Sequence, residues 1–188
     1  MLLGCRKLPP CEKFTTVCTV TYPNTDGVFS KSKSVRIRAE IPYRATNSDG
    51  VVVDISRFPP KGFPFDFGKV NSTSSAAANP VYDSVNIVIY KGRFMNWREH
   101  LLTTTFFMDF ARTDTSFICE FDILFATTGV MQLLVPSWSF DNNSCSAGFI
   151  IKHALNSRNY NFFYEMKGYE WPIHPMEDLN PQFIKIVP

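Results

Sequence analysis

Apolar residues fall in ten short runs along this chain, separated by Pro, Gly and Asn and never extended into a long 3.6-residue period. That punctuation predicts an all-β fold. Val35-Arg36-Ile37-Arg38-Ala39-Glu40-Ile41 alternates apolar and charged residues, as a strand with one wetted face requires. Phe14–Tyr22, dense in Thr and Val, reads as the strand before it. Val51–Ile55 reads as a short buried strand, ended by Arg57-Phe58-Pro59-Pro60, whose prolines cannot donate to a ladder. From 59 to 80, Pro, Gly, Ser, Ala and Asn surround Phe63, Phe65 and Phe67; the stretch is too long for a hairpin and reads as a surface loop pinned by its aromatics.

Val85–Tyr90 is the next strand. Asn96 as an N-cap with Glu99 at the reciprocal position predicts one or two helical turns over Asn96–Leu102. The densest β signal follows. Thr104, Phe106, Met108 and Phe110 share one face, and Phe117, Cys119, Phe121, Ile123 and Phe125 repeat the alternation after a turn, so these two runs are the predicted core. Four more strands are expected at Val130–Val135, Ala147–His153, Tyr160–Met166 and Gln182–Val187. Turn residues separate them, at Pro136-Ser137, at Asn142-Asn143-Ser144, at Asn156-Ser157 and through the Pro-rich 172–181.

Composition sharpens this picture. With 188 residues, 45% apolar and 18 Phe, the chain is long enough to bury about two-thirds of its unfolded surface in one domain. Residues 1–13 read as an N-terminal arm and 14–188 as a single domain. A net charge of +2 is too small for the dense phosphate neutralisation that drives non-specific nucleic-acid binding. Five Cys without close pairing point to reduced thiols rather than a disulfide scaffold. Met1-Leu2-Leu3-Gly4 is apolar too briefly for a leader or a membrane span, so the mature chain is expected to begin near residue 1.

Reaction chemistry is not signalled. Neither a Gly-x-Ser-x-Gly elbow nor a phosphate-cradling Gly loop occurs, and Asp66-Phe67-Gly68 lacks the companion motifs of a kinase. His100, His153 and His174 are scattered without metal-ligand spacing, and no metal or cofactor is expected. Glu99, Asp109, Glu120, Asp122 and Glu165 are read as solvated strand-face carboxylates rather than a glycosidase pair. Asn71-Ser72-Thr73 and Asn142-Asn143-Ser144 fit the glycosylation pattern but are read as loop residues.

The stretch Trp97-Arg98-Glu99-His100-Leu101-Leu102, the aromatic strand through Phe110, then Ser116–Ile123 and Gly129-Val130-Met131-Gln132-Leu133-Leu134-Val135-Pro136, resembles picornavirus-like capsid jelly rolls. Asn161-Phe162-Phe163-Tyr164 is similar to a Phe-x-x-Tyr element of plant secovirus coat proteins, and the chain length matches the small, cheravirus-type capsid proteins. The resemblance implies an antiparallel β-sandwich of viral jelly-roll type with one or two short helices. It also implies a non-enzymatic coat subunit that assembles with other capsid chains into an icosahedral shell around an RNA genome. Such a chain resides in the virion, and in the host cytoplasm during assembly. Any RNA contact is expected to be weak, because no Arg-rich arm precedes Phe14.

Assembly contacts are expected at Phe63, Phe65, Phe67, Trp138, Phe140 and Trp171, and the loops 57–80 and 136–146 and the two terminal arms are expected to be buried only on assembly, since large apolar side chains there meet little charge. On this reading, charged substitutions at Phe65 or Trp138 block assembly but spare folding. Two rivals predict otherwise. A carbohydrate-binding sandwich would stack sugars on Trp138, Tyr169 and Trp171, and a hydrolase would use Glu120 or Glu165.

Overall fold

The computed structural model describes residues 13–57, 59–60, 63–70, 79–80, 85–94, 105–134, 138–141, 148–155, 159–167 and 181–188. In chain order the strands are β1 (Lys13–Thr21), β2 (Val28–Ser30), β3 (Val35–Pro42), β4 (Arg44–Asn47), β5 (Val52–Asp54), β6 (Phe63–Lys69), β7 (Asn79–Pro80) and β8 (Val85–Lys91). They continue with β9 (Arg93–Phe94), β10 (Thr105–Asp109), β11 (Ala111–Arg112), β12 (Ser116–Phe125), β13 (Gly129–Leu134), β14 (Trp138–Asp141) and β15 (Gly148–Leu155). One helix, α1 (Tyr160–Lys167), precedes β16 (Pro181–Val187). The all-β expectation holds.

Two sheets face one another. The first runs β11-β12-β3-β1-β15-β14, with β8 also on β12 and the β4–β5 hairpin on β1; the second runs β2-β16-β13-β6-β10-β9, with β7 on β6. Most pairs are antiparallel, and β1–β15 and β2–β16 are parallel. The β4–β5 hairpin turns at Asn47–Val51. There the Asn47 Oδ1 accepts the Asp49 and Val51 amides, and Gly50 takes φ +80°, a conformation that L side chains resist.

Period-two burial builds the interior. Every second residue of β3 (Val35, Ile37, Ala39, Ile41) and of β12 (Phe117, Cys119, Phe121, Ile123, Phe125) is buried, in the register Ile37↔Phe121 and Ala39↔Cys119. The opposite sheet answers with Phe65, Phe67, Met108, Met131, Leu133, Ile184 and Ile186, all in the same apolar cluster. Phe65 meets Phe121 edge-to-face across the sandwich at 5.4 Å between ring centroids, and packs on Phe67 at 4.7 Å. The Cys119 thiol lies 3.4 Å from the Met108 sulfur, again bridging the sheets. Cys18 and Cys119 are free buried thiols; burial raises both, Cys119 to about 12 with a further push from Asp109.

A second, smaller cluster covers the outside of the second sheet. Val130 and Phe183 point away from the main core and meet Phe162 and Phe163 of α1, with the Phe163 and Phe183 rings tilted at 43° and 5.0 Å between centroids. Strand β16 is therefore buried on both faces.

Four sequence expectations are corrected. Tyr160–Met166 is helical rather than extended, because Phe162, Phe163 and Met166 share one helix face, whereas a strand would send the adjacent phenylalanines to opposite sides. Val51–Ile55 is not a buried strand: Val51 and Val52 are 56% and 64% exposed and only Ile55 is sealed. Within the expected loop 59–80, Phe63–Lys69 is the strand β6, and within 136–146, Trp138–Asp141 is the strand β14. The helical turns expected over Asn96–Leu102 lie outside the described residues.

Candidate assembly surface

The outer face of the first sheet is built by the strands whose inner faces make the core. Strand β3 presents Arg36, Arg38 and Glu40 there, and β12 presents Glu120, Asp122 and Leu124. Antiparallel register sets Arg36 opposite Asp122 and Arg38 opposite Glu120, so opposite charges meet directly across the strands. Arg36 donates through Nε and Nη2 to the Asp122 carboxylate and through Nη1 to Glu120 at 3.0 Å. Ser34 (3.2 Å) and the Tyr90 hydroxyl (2.8 Å) also donate to Asp122 Oδ2.

Asp122 is thus nearly covered while fully hydrogen-bonded. Arg36 first, then Tyr90 and Ser34, hold its carboxyl below the usual carboxylate range. Arg36 in turn is raised by Asp122, and its guanidinium stacks 4.0 Å over the Tyr90 ring. Glu40 is lowered likewise, by the Ser116 hydroxyl at 2.7 Å and then by Arg38. Two guanidiniums thus face three carboxylates, and each carboxylate has an arginine partner.

Beside this network the surface turns apolar. Strand β8 pairs with β12 on one side and has no partner on its other side among the described residues, so it borders the sheet. Its alternate residues Ile87 and Ile89 pack on the core, while Val88 and Tyr90 stand 52% and 51% exposed next to Leu124 at 40%. A bulge opposite Glu120 and Phe121 leaves Tyr90 without a direct cross-strand mate and turns it onto Asp122. A β-branched border strand that carries Val88 and Tyr90 beside Asn86 on its outward face is a ready template for a neighbouring chain.

The expected contact residues distribute differently. Phe65 and Phe67 are 0% and 3% exposed and belong to the chain's own core, so they are not surface anchors, and a charge at Phe65 would attack folding itself. Phe63 stands on the same strand opposite Met108. Trp138 and Phe140 lie on β14, the strand bordering the other end of the first sheet, opposite Ile151 and Phe149. Trp171 lies outside the described residues, as do Tyr169 and the two glycosylation-like triplets. Val88, Tyr90 and Leu124 escaped sequence reasoning, although the run Val85–Tyr90 signalled them by lacking a charged residue on its outward positions.

The carboxylates available for hydrolysis are engaged where they are described. Glu120 and Asp122 pair with Arg36, Asp109 with Arg93 at 2.8 Å, and Glu165 with Lys185 at 3.6 Å. Among the described residues, no group of three or more His, Cys, Asp and Glu could hold a metal ion, and no helix is long and apolar enough to cross a membrane. No protein-family model matches the chain, and neither does any curated protein.

Proposed function

We propose that the chain is a structural coat subunit, one of the jelly-roll chains that close an icosahedral shell around an RNA genome. The observation that carries this reading is the division of the first sheet's exterior. Its arginines and carboxylates pair within the chain, and Val88 and Tyr90 of the border strand adjoin Leu124 of β12 as one exposed apolar group, while Val17 and Val52 stand exposed elsewhere on the same sheet. Such a face offers neighbours shape and main-chain hydrogen bonds rather than reactive groups. The resemblance of residues 85–170 to picornavirus-like coat proteins supports the same reading, and a shell sums many modest contacts through closure.

Electron microscopy of the natively produced protein tests it. Isometric particles containing this chain are the expected result. A chain that purifies from its native source only as a lone soluble molecule would overturn the proposal.

A further inference from the structure

Pro59, Pro60, Phe110 and Ala111, with Gly92, Arg93 and Asp109, line an open cleft of about 320 Å³. That volume suits a small ligand. Pro60, Asp109 and Phe110 are buried, so three of the seven lining residues are fixed by the fold. Gly92 has φ +87°, and a Cβ there would lie 2.5 Å from the Asp109 carbonyl oxygen; only glycine lets the β8–β9 link press this close to β10.

The polar element of the cleft is one oriented guanidinium. Asp109, its side chain 10% exposed, accepts from Arg93 Nε at 2.8 Å, while the Arg93 side chain remains 75% exposed. Holding an arginine by Nε leaves its two terminal nitrogens as a planar fork, the geometry that matches a carboxylate.

From this geometry we infer that the cleft binds a monoanionic carboxylate carried on a compact apolar body, with Arg93 gripping the carboxylate and Pro59, Pro60 and Phe110 flanking the body. Asp109 balances the charge of Arg93, so the fork offers directional donors rather than surplus positive charge, which suits one carboxylate better than a phosphate dianion. The carboxylate could be supplied by the end of a peptide chain or by a free short-chain acid. This site does not depend on shell assembly.

Titration of the full chain with N-acetyl-leucine, N-acetyl-leucinamide and 4-methylpentanoate, followed by amide NMR, tests the inference. Both acids are expected to shift the Gly92, Arg93 and Ala111 amides, and the uncharged amide to bind at least roughly tenfold more weakly, the size of one charge-assisted contact. Tighter binding of N-acetyl-leucine than of 4-methylpentanoate identifies a peptide end as the source, and equal binding a simple acid. Arg93→Gln should weaken the acids by a similar factor and Arg93→Lys by less, with amide resonances outside the cleft unchanged to show that the fold is kept, although Arg93→Gln lowers the melting temperature by leaving Asp109 without this partner. Equal affinity for acid and amide, no shift at these amides, or indifference to Arg93→Gln overturns it.

Discussion

Replacing Phe121 by Ser removes a fully buried ring that touches Phe65 across the sandwich, and leaves a hydroxyl where no water reaches. Large-to-small changes of this kind cost about 3–5 kcal/mol, a large share of the 5–15 kcal/mol that holds a typical domain. Phe65→Asp is expected to be at least as damaging, and chemical denaturation of the two variants checks both. The buried alternation around Phe121 was legible in the sequence because period two has no other explanation over ten residues. The burial of Phe65 was not legible: Pro and Gly beside it disguise a strand as a loop.

Asp122 carries a pH signature. Its folded-state affinity for protons is lowered, as is that of Glu40, so the unfolded chain binds protons more readily. The stability these groups contribute is complete above the ordinary carboxylate range, about pH 4, and is lost as pH falls through their lowered values. Asp122→Asn is expected to lower the melting temperature at neutral pH and to flatten its decline between about pH 5 and 2. A melting curve as steep in acid as that of the parent chain would assign the lost stability elsewhere.

At the scale of elements, β8 is the strand to alter. Val88→Lys combined with Leu124→Lys places two cations on exposed positions without touching the core, and surface changes of this kind usually stay within about 0.5 kcal/mol each. Under the proposed function the double variant melts like the parent but forms few particles, which sedimentation measures. Normal particle yield would move the neighbour contact away from this border. Strand β12 and its partner β3 were readable from alternation alone. Helix α1 was not, because an eight-residue run of Tyr, Phe and Met satisfies either period, and packing on Phe183 and Val130 decides the outcome. Residues Val88 and Tyr90 were visible as apolar but not as exposed, since exposure depends on which strands lie beside them.

For the whole molecule, the ends of the chain hold both sheets. Strand β16 fills the gap between β13 and β2, contributes Ile184 and Ile186 to the main core and presents Phe183 to α1. A chain stopped after residue 180 is expected to lose cooperative melting altogether, read by circular dichroism, rather than to lose one strand's worth of stability. A sharp transition in that truncated chain would mean that the sheets close without β16. Alternation foretold an aromatic interior between strands, but nothing in a linear pattern announces which distant strands become neighbours, and the parallel pairs were invisible for that reason.

The parallel union of β1 with β15 joins Lys13 to Gly148 and Val20 to Leu155. An early segment must therefore wait, half-dressed, until more than a hundred further residues have left the ribosome before its second flank is sealed. Chains whose neighbours are so remote in sequence mature slowly. During that interval the bare flank of β1 can recruit a stranger, which makes the pace of synthesis and the availability of chaperones part of how much native protein a cell obtains.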